Sequence, residues 1–334
     1  MTTITEITKA EKIYKENLLK LSSIPVSRRN KLAMEGVPAI PAFTPLPEST
    51  QIPDYMIYCP VDTRVYKKIW KNLARSENTV TTVDNIINAK AYVSELLGDG
   101  LLDNVGTTIV ANNLWDIRDS VEGYAITCGE DEHHIFVPQL FSSPTELLCH
   151  ELAHTAHYTA QRRSHKYSSY FTRYYTAELV AHYVQFNYIL TKMSAGHLYA
   201  AIPQLVQATY AHSIVQHSLI EANGNLVDYK TFITSESAKY IRDGWRKDVL
   251  RDVYPTFIEN SSHLQHYYHR SLGMIWALIL LGEHEGMRKF IHADDGESSL
   301  EDMLHEAFPH IDLRERWEDF SNYILEVFSK KKFK

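Results

Sequence analysis

Cysteine is scarce. Cys59, Cys128 and Cys149 are the three in 334 residues, far apart and without a CxxC pair. A disulfide framework is excluded, and the three read as reduced, buried thiols in a reducing compartment. Long apolar runs are missing too. The longest, Leu272–Leu281 (LGMIWALILL), has about half the length of a bilayer span and is expected to be a buried helix. Positive charge is not in excess: 34 Lys and Arg stand against 41 Asp and Glu, a net charge of −7. That gives no footing for a nucleic-acid partner. Lys330, Lys331, Lys332 and Lys334 form a short basic tail, read as a solvated end. The first 21 residues scatter charges and lack an apolar stretch, so they do not read as a secretory signal. A cytoplasmic protein with no stable membrane insertion is expected, although export by a specialised secretion machine would leave no such signal. There is no GxSxG elbow and no P-loop. Gly98-Asp99-Gly100 is too short for a nucleotide fingerprint, and Asp99 and Asp103 lack EF-hand spacing.

What is present is ordinary globular material, 44% hydrophobic and 22% charged, enough for a sizeable core. Residues 4–22 pattern as a helix. Residues 37–60 then hold Pro38, Pro41, Pro45, Pro47, Pro53 and Pro60, half of the 12 prolines. Proline removes amide donors and fixes φ, so this stretch is extended; the apolar residues between the prolines favour an arm packed on the body. Residues 62–76 and 83–97 read as helices, the second stopped by Gly98. Thr107–Asn112, Gly123–Thr127 and His133–Val137 read as three short strands of a small antiparallel sheet. From Ser143 onward helical periodicity dominates. The expectation is an α+β, mainly α protein. Residues 1–60 form an N-terminal helix and arm. Residues 61–334 form a body whose halves, 61–160 and 170–334, flank a cleft.

The chemistry concentrates in Ser143–His157, SPTELLCHELAHTAH. Ser143 suits an N-cap, Pro144 suits the first helical position, and Glu146 would close a capping box. His150 and His154 are four apart, so on a helix both imidazoles reach one ion. Glu151, turned about 100° away, can approach a water without being a ligand. This is HExxH, two zinc ligands and a general base. A catalytic zinc takes three protein ligands and an open position. Glu178, 24 residues after His154 in a second helical stretch (YYTAELVAHY), is the third candidate, and the polar run Gln161–Ser169 allows the chain to reverse. His182, four residues on, competes for that place or supports it. His157 is either a core histidine or one that orients a ligand or the catalytic glutamate. Cys149, adjacent to His150 on the helix, points away and makes no Cys-His dyad.

HELAHTAH together with AELVAHYVQ resembles the gluzincin metallopeptidases, most closely the thimet oligopeptidase/oligopeptidase F family, over roughly residues 143–190. Ala153 stands where that family has glycine, and Leu-Val-Ala-His follows the glutamate. The resemblance implies a zincin-like fold, with His150, His154 and Glu178 holding Zn2+ and Glu151 as base. It also implies a tyrosine- and histidine-bearing helix that polarises the scissile carbonyl. Ser262–Ala277 (SHLQHYYHRSLGMIWA) looks like that segment. His266, Tyr267, Tyr268 and His269 are its candidates, Tyr268 first and His269 next. The activity expected is peptide hydrolysis by an endopeptidase or oligopeptidase, with a peptide or protein as substrate. Two alternatives accompany it: a dedicated effector or toxin-type protease of one target, and a catalytically silent binding protein on the same fold.

Overall fold

The computed structural model describes residues 2–38, 52–61, 77–115, 122–193, 201–244, 250–251, 254–255, 258 and 261–330. It is mainly helical with a small sheet. Helix α1 (Ile4–Lys20) starts at a Thr3–Glu6 capping box, ends two residues before the expected limit, and is followed by α2 (Val26–Ala33). Leu18 and Ala33 from this pair pack with Val110, Trp115, Ile126 and Phe136 of the sheet region.

Of the proline-rich stretch, residues 52–61 are described and lie against the body. Ile52, Met56 and Val61 are buried in the main core. The arm is held mainly through its carbonyls, with the Cys59 amide also donating to Gln216 Oε1 at 3.2 Å. His212 Nε2 donates to Ile57 O at 2.8 Å, Trp317 Nε1 to Tyr58 O at 3.2 Å, and Ser321 Oγ to Pro60 O at 2.8 Å. A segment short of N–H groups is fixed mainly through its acceptors. The helix expected over 62–76 falls outside the described residues, as do Lys331–Lys334.

Strand β1 (Thr79–Val80) leads into α3 (Val83–Leu97), which opens on a Thr82–Asn85 capping box and stops at Gly98 with φ +118°. Strands β2 (Gly106–Val110), β3 (Tyr124–Ile126), β4 (His134–Pro138) and β5 (Leu140–Phe141) follow. The sheet is mixed, which corrects the antiparallel expectation. Its order is β2-β4-β3, with β4 parallel to β2 and antiparallel to β3, while β1 and β5 form a separate antiparallel ribbon. Every residue of β4 is buried whereas β2 and β3 are mostly half-buried, and a strand apolar on both faces takes the centre. The outer strands are therefore β2 and β3.

Helix α4 (Pro144–Arg162) carries the HExxH residues, with Pro144 in its first turn. Ser143 is the N-cap residue but its side chain makes no cap bond. Glu146 turns inward and accepts from Gln185 Nε2 at 2.7 Å, so the capping box does not form. This first turn is inside the core, where a buried carboxyl needs a partner more than the cap does. Helix α5 (Tyr174–Lys192) returns alongside α4, followed by α6 (Ala201–Gln216), a π turn (His217–Glu221), α7 (Tyr229–Phe232) and α8 (Glu236–Gly244). Helix α9 (Ser261–Ile279) contains most of the long apolar run, buried as expected. Helices α10 (His284–Ala293), α11 (Leu300–Ala307), α12 (Leu313–Glu318) and α13 (Phe320–Lys330) complete the order. All three cysteines are free, Cys128 and Cys149 buried and Cys59 partly so.

Helix α4 packs between α3 and α5, and α9 packs on α5 and α6. The α5–α9 crossing is close because Gly273 lies there. A Cβ at Gly273 would sit 2.7 Å from Leu179 N, 2.8 Å from Tyr175 O and 2.9 Å from Glu178 Cβ. Alanine gains about 1 kcal/mol of helix propensity, but two of these atoms are backbone and yield little. Gly273→Ala is therefore expected to cost about 1–2 kcal/mol net, seen as a lower urea midpoint at unchanged slope.

Candidate metal centre

The antiparallel run of α4 and α5 follows from the contacts between them: His150 pairs with Gln185, and His154 lies against Glu178. A cleft of about 340 Å³ opens over this pair. Its walls are the segment Glu122–Ala125 leading into β3, the HExxH face of α4, Tyr174, Glu178 and Gln185 of α5, and His266 and Arg270 of α9. His150, Glu151, His154 and Glu178 meet here. His150 Nε2 and His154 Nε2 are 3.2 Å apart, and His154 Nε2 is 3.8 Å from Glu178 Oε1. His182 Nε2 is 3.0 Å from Glu178 Oε2. Donor atoms of His150, Glu178 and His182 all lie within 4.8 Å of one another, so this buried group can hold a metal ion.

The electrostatics suit a cation. Burial pushes His150 well below the usual histidine value and His182 below it as well. Burial lowers His154 to about 4 in spite of Glu178. Neutral imidazoles are the form that donates a lone pair. Burial alone would raise Glu178, but Arg270 and His182 outweigh it and hold the carboxyl well below its ordinary range. Neutral histidines with an ionised glutamate form the donor set of a borderline-soft divalent ion such as zinc.

Glu151 is a different carboxyl in the same cleft. Burial, followed by Glu178 and Glu122, pushes it up to about 8, although the Ala125 backbone N–H donates to it. Gly123 makes room for it: a Cβ there would lie 2.2 Å from Glu151 Oε1. Gly123 has no left-handed φ, so space rather than backbone conformation calls for glycine. Gly123→Ala is expected to displace Glu151 while leaving metal affinity within a few-fold of wild type. Zinc titration of the variant beside a peptide-hydrolysis assay checks this.

Tyr268 and His269 are placed elsewhere, which corrects their assignment to the cleft. The Tyr268 ring is buried edge-on against His212 at 4.7 Å, and His269 lies against Tyr175 at 5.9 Å. The face of α9 turned to the cleft carries His266 and Arg270, a four-residue spacing. Tyr174 and His266 are hydrogen-bonded through Oη and Nε2 at 2.7 Å. His157 orients neither ligand nor base; its Nε2 is 3.0 Å from Asp294 Oδ2, and both side chains are fully buried.

Tyr158, Tyr174, Gln185, Arg270 and Glu122 were not legible as site residues from the sequence. For Tyr158 a signal existed: it is four residues after His154, and the rings stack at 6.0 Å. Comparison with family models, curated proteins and solved structures returns no match.

Proposed function

We propose that this chain is a zinc-dependent peptidase, as the HExxH…E resemblance implies. The observation that carries the reading is the convergence, in one cleft, of two histidine Nε2 atoms 3.2 Å apart, an ionised Glu178 and the separate, raised carboxyl of Glu151. His150, His154 and Glu178 are the residues that would hold the ion. When bound, it supplies Lewis acidity that polarises a peptide carbonyl and acidifies a water.

The chain's own residues do the rest. Glu151, held by the Ala125 amide, accepts the proton of the attacking water and returns it to the leaving amine. Tyr158, Tyr174, His266 and Arg270 line the same cleft and carry hydrogen-bond donors of the kind that stabilise a developing oxyanion. The segment Glu122–Ala125, which leads into β3 and lines the cleft, is where an extended peptide would lie in the manner of strand addition.

The test is incubation of the zinc-loaded protein with a proteome-derived peptide library, read by mass spectrometry. Cleavage abolished by chelation supports the reading. Cleavage of one intact protein and no peptides would point to the dedicated effector. No cleavage of either by a zinc-loaded sample would overturn the peptidase reading. His182 favours a second reading: a fourth protein donor beside the three is the composition of a closed site, which suits a binding protein without catalysis.

A further inference from the structure

The Gln185 carboxamide occupies an unusual position. Its Oε1 lies 3.1 Å from His150 Nδ1 and 2.8 Å from His182 Nδ1, while its Nε2 donates to Glu146 Oε1 at 2.7 Å. An amide oxygen only accepts, so both Nδ1 atoms carry hydrogen. A neutral imidazole with hydrogen on Nδ1 has a bare lone pair on Nε2. For His150 that lone pair faces His154 Nε2 at 3.2 Å. For His182, Nε2 is 3.0 Å from Glu178 Oε2. Both of these last atoms are fully enclosed, and neither is in a hydrogen bond of normal geometry. His150, Glu178 and His182 each bring a donor atom within 4.8 Å of the other two, so one cation can satisfy His182 Nε2 together with Glu178, whose Oε2 also has Arg270 Nε at 3.5 Å.

We propose that His182 is a fourth protein donor to the metal ion, and that Gln185 is the positioning residue that fixes the tautomer of His182 and His150 together. This rests on the reading of the cleft as a metal centre; with four protein donors the peptidase reading needs a further position for water, whereas the binding-protein reading does not. The usual support for a metal-bound histidine is one acceptor per ring; here one oxygen serves two rings from two helices. Gln185 is three residues from His182 on α5 and reaches across to α4, and Glu146 of α4 holds its amide in register.

The probes are Zn2+, competed against a chelator of known affinity, and Co2+, whose visible bands report the number and type of donors. The full chain is used, with far-UV circular dichroism to confirm folding. Gln185→Leu and His182→Ala are each expected to weaken zinc binding by about 10- to 100-fold and to change the cobalt bands. His182→Gln serves the same purpose if the alanine variant does not fold. The exchanged pair Glu146→Gln with Gln185→Glu keeps an acceptor for both rings and an amide–carboxylate bond behind it, and is expected to restore affinity to within a few-fold. Unchanged zinc affinity and cobalt bands in the His182 variant would overturn the fourth donor. Failure of the exchanged pair to restore what Gln185→Leu loses would overturn the positioning role. A wild-type protein that binds neither metal would instead overturn the metal centre itself, so the two failures are distinguishable.

Discussion

Glu151→Gln is expected to lower kcat for peptide hydrolysis by about 10²- to 10⁴-fold, the usual contribution of a general base, while the protein still takes up one zinc per chain. Glutamine keeps the volume of the side chain and can still accept from the Ala125 amide. Gly123 leaves the same room for it. What it loses is the ability to take a proton. Glu151 also lies outside the His150, Glu178 and His182 donor group, so metal binding has no reason to fall. Parallel measurement of bound zinc and of initial rates on a cleaved peptide checks both halves. Full activity in the zinc-loaded variant would contradict the assignment of Glu151 as base.

Asp294→Ala is expected to produce the largest loss of stability. Asp294 is fully buried beneath the C-terminal half of α4. It accepts from Arg173 at 2.8 Å and from the Gly296 amide at 3.2 Å, and pairs with His157 at 3.0 Å. It thereby ties α4, the start of α5 and the chain after α10. Removing it takes away the carboxylate paired with the buried Arg173 guanidinium, which costs about 3–5 kcal/mol and lowers Tm by about 4–7 °C. Lys166→Ala, which breaks the exposed pair with Asp295, is the control and should shift Tm little.

The pH dependence has a definite sign. Burial would raise the Asp294 carboxyl, but His157 and Arg173 outweigh it, and it lies far below the usual aspartate value. Its contribution is therefore complete above the unfolded aspartate pKa, about 3.9, and disappears as pH falls through the lower folded value. Wild type and Asp294→Ala should differ most near neutrality and converge in strong acid. A constant difference down to pH 2 would contradict the charge pairing.

Local rules made the helices legible. The Thr3–Glu6 and Thr82–Asn85 capping boxes, Gly98 and Pro144 mark ends that the chain uses. The i, i+4 spacing of His150 and His154 is fixed by helix geometry alone. The departures depend on what lies across the core. Nothing local distinguishes Glu146 as a cap from Glu146 as a partner of Gln185, since Gln185 is 39 residues away. The rotation of α9 is likewise set by close packing at Gly273 against α5. That rotation brings His266 and Arg270 to the cleft and sends Tyr268 to His212. The central place of β4 was readable in principle from Ile135, Phe136 and Val137, three consecutive apolar residues that alternation does not explain.

The most direct test of the central claim is elemental analysis of the purified protein, stripped by chelator and then equilibrated with zinc at neutral pH. Close to one zinc per chain, lost on His150→Ala, is the result the cleft predicts. No retained metal under those conditions would contradict it: the HExxH helix would then be a coincidence of spacing, and a helical binding protein would take the place of the enzyme.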